Sequence, residues 1–324
     1  MHLFLLIFLA VTMQTFAQEA KLRYAIAIHG GAGVISKDMP DSVKNKYIAG
    51  LTEALQKGVA MLGAGRNGLD VVETVVRALE DNPLFNAGRG SVFTADGTHE
   101  MDASIMNGKS LACGAVAGVK TIKNPISLAR LVMEKTSHVF LSGEGAEVFA
   151  REMGVDTAGA DYFYDAYRYE QWKKAKQKHQ IRLDHSADEK KGTVGCVVLD
   201  NEGNLYAATS TGGMTNKRKG RIGDSPIIGA GTYASNASCA VSCTGTGEQY
   251  IRHTIARDLA ARVEYKNETL SQSARYLIHE VLEKGDGGLI AVDKKGHIVL
   301  EFNTPGMFRG AADASGRFEV KIWE

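Results

Sequence analysis

Net charge is almost absent from this sequence. Thirty-eight lysines and arginines stand against 37 aspartates and glutamates, a formal +1. No strong field of either sign draws the chain to nucleic acid or to an anionic membrane surface. Long apolar runs are missing too: Leu3 to Val11 is too short to span a bilayer. That run lies within residues 1–17, which end in Thr15-Phe16-Ala17 before polar Gln18, and they read as a secretory signal peptide. A secreted or periplasmic protein is expected, with no membrane attachment after signal cleavage. No cysteine follows the run, so no lipid-anchored form is expected. Proline is scarce, at 5, while glycine reaches 36, which favours tight, backbone-exposing turns over disordered linkers. The four cysteines, Cys113, Cys196, Cys239 and Cys243, lie in small-residue or apolar runs. Buried free thiols are expected, because Cys239 and Cys243 lack zinc-pair spacing and no partner pair follows them.

The elements that remain point to one α+β fold. Arg23 to Ile28 predicts a strand running into a glycine-rich loop, His29-Gly30-Gly31-Ala32-Gly33. Asp41 to Leu62 and Leu69 to Glu80 carry helical periodicity, the second capped by Asn67. Asp81 to Gly90 reads as a compact loop, Glu100 to Met106 and Cys113 to Val119 as strands, and Pro125 to Lys135 and Gly143 to Met153 as helices. Asp161 to Lys178 is polar and aromatic, helical at first. Gln180 to Lys191 is charged and aperiodic, and its later part reads as an exposed, mobile segment. Strands then follow at Val194–Leu199, Leu205–Thr209 and Ala237–Cys243, with a Gly-rich loop from Ser210 to Pro226. Helices Gln249–Val263 and Leu270–Leu282 precede strands at Gly288–Val292, Ile298–Phe302, Met307–Arg309 and Phe318–Ile322. Strands at both ends with helices between and after predict two stacked sheets with helices outside. Gly63-Ala-Gly65-Arg-Asn-Gly68 and Gly229-Ala-Gly231-Thr-Tyr-Ala234 match a dinucleotide fingerprint formally. The first follows a helix and the second opens none, so no nucleotide cofactor is expected.

Chemistry gathers at and after Gly192-Thr193, where the polar stretch meets an apolar strand. A threonine freed at its amino side carries its own base, since an α-amine titrates at about 7.7–8.0. Taken alone, the dipeptide is an ordinary loop-to-strand junction. Three Gly-rich segments at strand ends follow: Ser210-Thr211-Gly212-Gly213, Gly220 to Pro226 with Arg221 and Asp224, and Thr244 to Glu248. Arg221 can fork onto a carboxylate and Asp224 can pair with an ammonium, which suits the zwitterionic end of an α-amino acid. An isolated surface ion pair is the alternative. Thr244 and the amide of Gly245, read as a helix start, suit an oxyanion, or else Thr244 or Thr246 is merely a helix cap.

The segments IAIHGGAG, NPLFNAGRGSVFTADGTHEMDASIMNG, CGAVAGV, NPISLARLVME, SGEGAE, GTVGCVVLD, TSTGGMTNK, GRIGDSPIIGAG and SCTGTGE occur in this order. Over residues 24 to about 310 the chain resembles the plant-type asparaginase and isoaspartyl peptidase family of N-terminal nucleophile hydrolases. The resemblance implies a four-layer αββα sandwich, cut between Gly192 and Thr193 into an α subunit (18–192) and a β subunit (193–324) that together form one domain. It implies Thr193 as nucleophile and Thr211 as the residue tuning it. Arg221 and Asp224 would hold the substrate's carboxylate and amine, and Thr244 and Gly245 the oxyanion. Asn86 would organise the cleavage site. It also implies a structural sodium ion on main-chain carbonyls of Leu79, Glu80, Asn82, Phe85, Ala87 and Arg89. Asn82 and Arg89 depart from the family's usual residues, which main-chain ligation tolerates. No other cofactor is required, and a homodimer of αβ units is implied.

The activity implied is hydrolysis of β-aspartyl dipeptides and of the asparagine side-chain amide. Glycosylasparaginase, acting on asparagine-linked N-acetylglucosamine, is the nearest rival, and export would suit it. The His-Gly-Gly-Ala-Gly, Ser-Thr-Gly-Gly and Gly-Thr-Gly-Glu segments look more like the isoaspartyl peptidase branch. An inactive amino-acid-binding relative is the remaining alternative, and the intact set Thr193, Thr211 and Thr244 speaks against it.

Overall fold

The computed structural model describes residues 23–178 and 192–324. The leader at 1–17 and the segment Gln180 to Lys191 lie outside the described residues. Among the described residues no helix is long and apolar enough to cross a membrane.

Among the described residues twelve strands form two sheets. The first half of the described chain supplies β1 (Ala25–Gly33), β2 (Met101–Asn107), β3 (Cys113–Val119) and β4 (Phe140–Ser142). The second supplies β5 (Val194–Leu199), β6 (Leu205–Thr211), β7 (Thr232–Ala234), β8 (Cys239–Gly245), β9 (Gly287–Asp293), β10 (Ile298–Phe302), β11 (Gly306–Asp313) and β12 (Phe318–Lys321). One sheet runs β12-β11-β1-β5-β6-β2-β3-β4 and the other β10-β9-β8-β7.

Three apolar layers separate four structural ones. Helices α1 (Asp41–Gly63), α2 (Gly68–Glu80), α3 (Pro125–Lys135) and α4 (Gly143–Glu152) cover the larger sheet. Val71, Val72, Val75, Val76 and Leu79 of α2 are buried there, each contributing about 1.5–3 kcal/mol of transfer free energy. Between the sheets, Ala25, Ala27, Val197 and Leu199 meet Ala240, Ile290 and Val292. Outside the smaller sheet lie α7 (Gly247–His253), α8 (Ile255–Tyr265) and α9 (Leu270–Tyr276). The result is the expected αββα sandwich. On β5, Val194, Cys196 and Val198 face the helices while Val197 and Leu199 face the second sheet. Burial on both faces is why such strands read as continuous apolar runs rather than alternating ones.

Several boundaries differ from expectation. His29 to Gly33 is not a loop but the end of β1, bulged between His29 and Gly31 and wholly buried. A side chain at Gly30 would come within 2.5 Å of Phe85, so glycine here serves close packing inside a strand. The three-residue strands β4 and β7 were not expected. Asp161 to Lys178 is helical almost throughout, as α5 (Ala160–Phe163) and α6 (Ala166–Gln177). The helix expected over Gln249–Val263 is broken at Thr254, which takes a left-handed conformation, φ 47°. The one expected over Leu270–Leu282 loosens after Tyr276 into a π-helical turn, Leu277–Val281. All four cysteines are free; three are buried and Cys113 is half-buried.

Candidate active site

Antiparallel pairing of β5 with β6 sets Val194 opposite Ser210. Their neighbours Thr193 and Thr211 therefore meet at one end of the sheet. Thr193 Oγ1 donates to Thr211 Oγ1 at 3.0 Å, and Thr211 Oγ1 accepts the amide of Gly213 at 2.9 Å. Both threonines, with Gly192, line a cavity of about 20 Å³, room for about one water. Gly192 lies against the β1 bulge. A side chain on Gly31, whose φ is 114°, would sit 2.3 Å from the Gly192 amide nitrogen.

From the second sheet, β8 brings Gly245 to the same cavity. Thr244, beside it, is fully buried, and its hydroxyl accepts the Ala32 amide at 3.3 Å. Neither residue is at a helix start as expected. The strand runs through Gly245, α7 opens at Gly247, and Thr246 precedes it without a side-chain cap bond.

The loop after β6 closes the other wall with Gly213, Arg221 and Asp224. Arg221 is already forked: Nε and Nη2 donate to the two carboxylate oxygens of Glu248 at 2.9 and 2.8 Å. This side-on grip leaves the guanidinium's far edge, where Nη1 lies over Gly213 and Gly223; side chains there would approach it to 3.4 and 2.9 Å. Asp224 is buried, and its Oδ2 has no hydrogen-bond partner among the described residues. Burial pushes its carboxyl up to about 7 against the pull of Arg221. Behind this wall Lys217 is fully buried, with Nζ donating to the Glu100 carbonyl at 2.7 Å. Burial pulls its ammonium below the usual lysine range while Asp102 works the other way.

Asn86 braces the hydroxyl side. Its Nδ2 donates to the Gly213 carbonyl at 2.7 Å, and its own carbonyl accepts the Gly212 amide at 2.9 Å. The loop that carries it curls tightly. Carbonyls of Leu79, Asn82, Phe85 and Ala87 each accept one amide bond within it, which leaves each a second lone pair. The Phe85 and Pro83 carbonyls converge on Gly90, where a Cβ would come within 2.0 and 2.7 Å of them. Neutral oxygens crowded in this way fit a hard cation. The Arg89 guanidinium lies 5.5 Å over the Tyr162 ring.

Thr193, Thr211, Arg221, Asp224 and Gly245 thus surround one cavity, Gly192 lines it, Asn86 stands behind it, and Thr244 lies beneath Gly245. Glu248 was missed as a partner of Arg221, although it closes the Gly-Thr-Gly-Glu segment. In the sequence His29 shows only as part of a glycine-rich segment. Its ring is buried, with Nδ1 on the Thr193 carbonyl at 2.9 Å. Chemically, the cavity offers a hydroxyl held by a second hydroxyl, backbone amides, and a guanidinium–carboxylate pair of the right signs for an α-amino acid.

A family model described as asparaginase matches residues 22–322. A protein named isoaspartyl peptidase from Escherichia coli is 52% identical over 292 residues, covering 88% of this chain and 91% of the relative. An Arabidopsis thaliana protein named probable isoaspartyl peptidase/L-asparaginase 2 is 48% identical over 324 residues, covering 93% and 99%. A Rattus norvegicus protein named isoaspartyl peptidase/L-asparaginase is 43% identical over 302 residues, covering 92% and 88%.

Proposed function

The chain belongs to the asparaginase family, and we propose that it is a hydrolase of β-aspartyl dipeptides and of the L-asparagine side-chain amide, activated by its own cleavage at Gly192-Thr193. The observation that carries the proposal is the Thr193–Thr211 hydroxyl pair at 3.0 Å, facing the Arg221 and Asp224 wall across one cavity. Thr193 Oγ attacks the Gly192 carbonyl and its proton passes to the Thr193 nitrogen as the C–N bond breaks; this leaves an ester and a free amine, and water hydrolyses the ester to the Gly192 carboxylate and the free Thr193 hydroxyl. The close approach of Gly31 to Gly192 supports a constrained junction, and the cavity, barely one water in size, supports a site that opens to substrate only after the cut.

In turnover the Thr193 amine takes the hydroxyl proton as Oγ attacks the substrate's side-chain carbonyl. The Gly245 amide and the Thr244 hydroxyl hold the oxyanion, a donor of this kind being worth about 2.7–4 kcal/mol of barrier. The outer edge of Arg221 grips the α-carboxylate and Asp224 the α-ammonium. Ammonia or a peptide amine leaves, and water frees Thr193. A sodium ion on the carbonyls of Leu79, Glu80, Asn82, Phe85, Ala87 and Arg89 would supply rigidity to the loop that carries Asn86 and would take no part in bond making. The products of the cut, 18–192 and 193–324, stay together in one sandwich, since β1 pairs with both β5 and β11. Export rests on the apolar leader and assembly as a homodimer on the family resemblance.

One assay set tests the reading. Purified protein is run on a denaturing gel and offered β-Asp-Leu, L-asparagine and N-acetylglucosaminyl-asparagine. Two fragments with turnover of the first two substrates are expected. Turnover of the glycosylated substrate alone would replace the activity with glycosylasparaginase. One stable full-length band without turnover would replace it with an amino-acid-binding role.

A further inference from the structure

Beneath the nucleophile runs a line of buried hydrogen bonds that none of the roles above uses. His29 Nδ1 lies 2.9 Å from the Thr193 carbonyl oxygen, and Nε2 lies 2.8 Å from Ser242 Oγ. Ser242 Oγ is 2.7 Å from Thr209 Oγ1, and Thr232 Oγ1 donates to Thr209 Oγ1 at 2.6 Å. Ser104 Oγ reaches Thr232 Oγ1 at 2.8 Å and the Ser225 carbonyl at 2.6 Å. All five side chains are fully buried. They stand on β1, β8, β6, β7 and β2, so the line crosses both sheets. It ends at Ser225, next to Asp224.

Its polarity follows from its first member. A carbonyl oxygen only accepts, so Nδ1 carries the proton and Nε2 of the neutral ring must accept. Ser242 therefore donates to Nε2, Thr209 donates to Ser242, and Thr232 donates to Thr209. Each proton in the row points toward His29. The opposite tautomer would set two lone pairs against each other at the Thr193 carbonyl. Burial holds the imidazole neutral, its pKa drawn down to about 3. Gly195 makes room for the line: a Cβ there would sit 2.0 Å from Ser242 Oγ and 2.3 Å from His29 Nε2.

We propose that His29 is a positioning residue for Thr193, its tautomer set by the Thr193 carbonyl and its ring seated by the Ser242–Thr209–Thr232 row. The inference rests on the reading of Thr193 as an amino-terminal nucleophile. In the uncut chain Thr193 is restrained through peptide bonds on both sides. After the cut only the Val194 side remains, and rotation about the Val194 N–Cα bond would swing the Thr193 carbonyl, amine and hydroxyl together. A donor on the Thr193 carbonyl blocks that rotation. His29 touches no reacting atom, and it leaves Arg221 and Asp224 untouched, so its loss acts on kcat and not on KM.

Two substitutions separate this from general packing. The amide nitrogen of His29→Asn falls near the Nδ1 position and keeps a donor for Thr193. That of His29→Gln reaches the Nε2 position, facing Ser242, and leaves the Thr193 carbonyl bare. Both disturb the row, so similar falls in Tm are expected. For His29→Gln, kcat for β-Asp-Leu on the cleaved fraction should drop about 100-fold, the effect of a small misplacement of reacting groups. His29→Asn should stay within about tenfold of wild type, the cost of one hydrogen bond. KM should hold in both, and the half-time of self-cleavage should follow the same order. Equal losses for Asn and Gln, or a change confined to KM, would overturn the proposal. Should neither variant fold, Ser242→Ala decides: a several-fold loss of kcat at constant KM is expected, and unchanged kcat refutes the row's part. A wild-type chain that stays uncut and inactive would overturn the underlying reading, and this inference with it.

Discussion

The two walls of the cavity are built on opposite electrostatic plans. On the Thr193 side stand neutral groups, Thr211, His29, Ser242, Thr209 and Thr232, joined by hydrogen bonds of 2.6 to 3.0 Å. On the Arg221 side stand charges: Arg221 on Glu248, buried Lys217 behind, and Asp224 with one oxygen unpartnered among the described residues and a carboxyl raised to about 7. A satisfied neutral network is rigid before any ligand arrives. A buried carboxyl with a bare oxygen is unfinished until a cation completes it. The reacting wall is therefore preorganised, and the gripping wall is completed by substrate.

If the walls divide the work in this way, damage to each should separate cleanly. The largest effect belongs to Thr193→Ala. One uncut band and a loss of turnover of at least about 10⁴-fold are expected, as for removal of a nucleophile elsewhere. A cut, active variant would leave the neutral wall without a function. Next comes Arg221→Ala. Loss of a buried charge contact, worth about 2–5 kcal/mol, should raise KM for asparagine by about 30-fold or more. Self-cleavage should proceed at the wild-type rate, because the neutral wall is intact. Slow cleavage in this variant would show that the walls are not independent.

A smaller effect should appear in pH profiles. In the free enzyme Asp224 takes up a proton as pH falls through about 7 and loses its hold on an ammonium. Bound substrate lowers that carboxyl's pKa, so the loss belongs to kcat/KM and not to kcat. The Thr193 amine, with an ordinary value of about 7.7–8.0, weakens both quantities on the acid side. Log kcat/KM should thus fall with a slope approaching 2 below neutrality and log kcat with a slope near 1. Asp224→Asn should bring the two slopes together, and identical slopes in wild type would remove Asp224 from the ammonium site.

Much of this was legible in the sequence, for reasons that also explain what was not. Strands such as Cys113–Val119 and Ile298–Phe302, and the helix Pro125–Lys135, carry their own bounds in apolar runs, a starting proline and flanking turns. Thr193, Thr211, Arg221, Asp224 and Gly245 stood out because each lies in a Gly-rich segment at a strand end, where loops converge. Gly30 and Gly31 misled because glycine is a poor strand former; close packing against Phe85 and Gly192 overrides that preference. The strands β4 and β7 exist only through pairing with β3 and β8. The hydroxyl row was invisible for a similar reason. His29 and Ser242 lie 213 positions apart, and a serine or threonine in an apolar strand carries no sign of its partner. Glu248 closes the Gly-Thr-Gly-Glu segment, but only the fold sets it on Arg221.

The smallest expected effect asks whether the neutral wall is neutral throughout. Glu80 lies behind it, buried, with Oε1 accepting from Ser210 Oγ at 2.6 Å and from the Ile126 amide at 3.0 Å. Its Oε2 has no partner among the described residues, and burial pushes its carboxyl up to about 8 from an ordinary 4.5. A carboxyl with a raised folded-state pKa binds more protons folded than unfolded. Its contribution to stability is whole below the unfolded value and is lost as pH rises through the folded one, so the window runs from about 4.5 to 8. Glu80→Gln is neutral at every pH and keeps the oxygen that Ser210 and Ile126 need. Calorimetry from pH 5 to 9 should show the wild-type Tm sinking relative to the variant across that window, with the variant the more stable at the alkaline end. Asp224 shifts stability in the same direction but is common to both proteins, so it cancels in the difference. Parallel Tm curves would mean that Glu80 is ionised in the fold, and that a charge stands behind Thr211 after all.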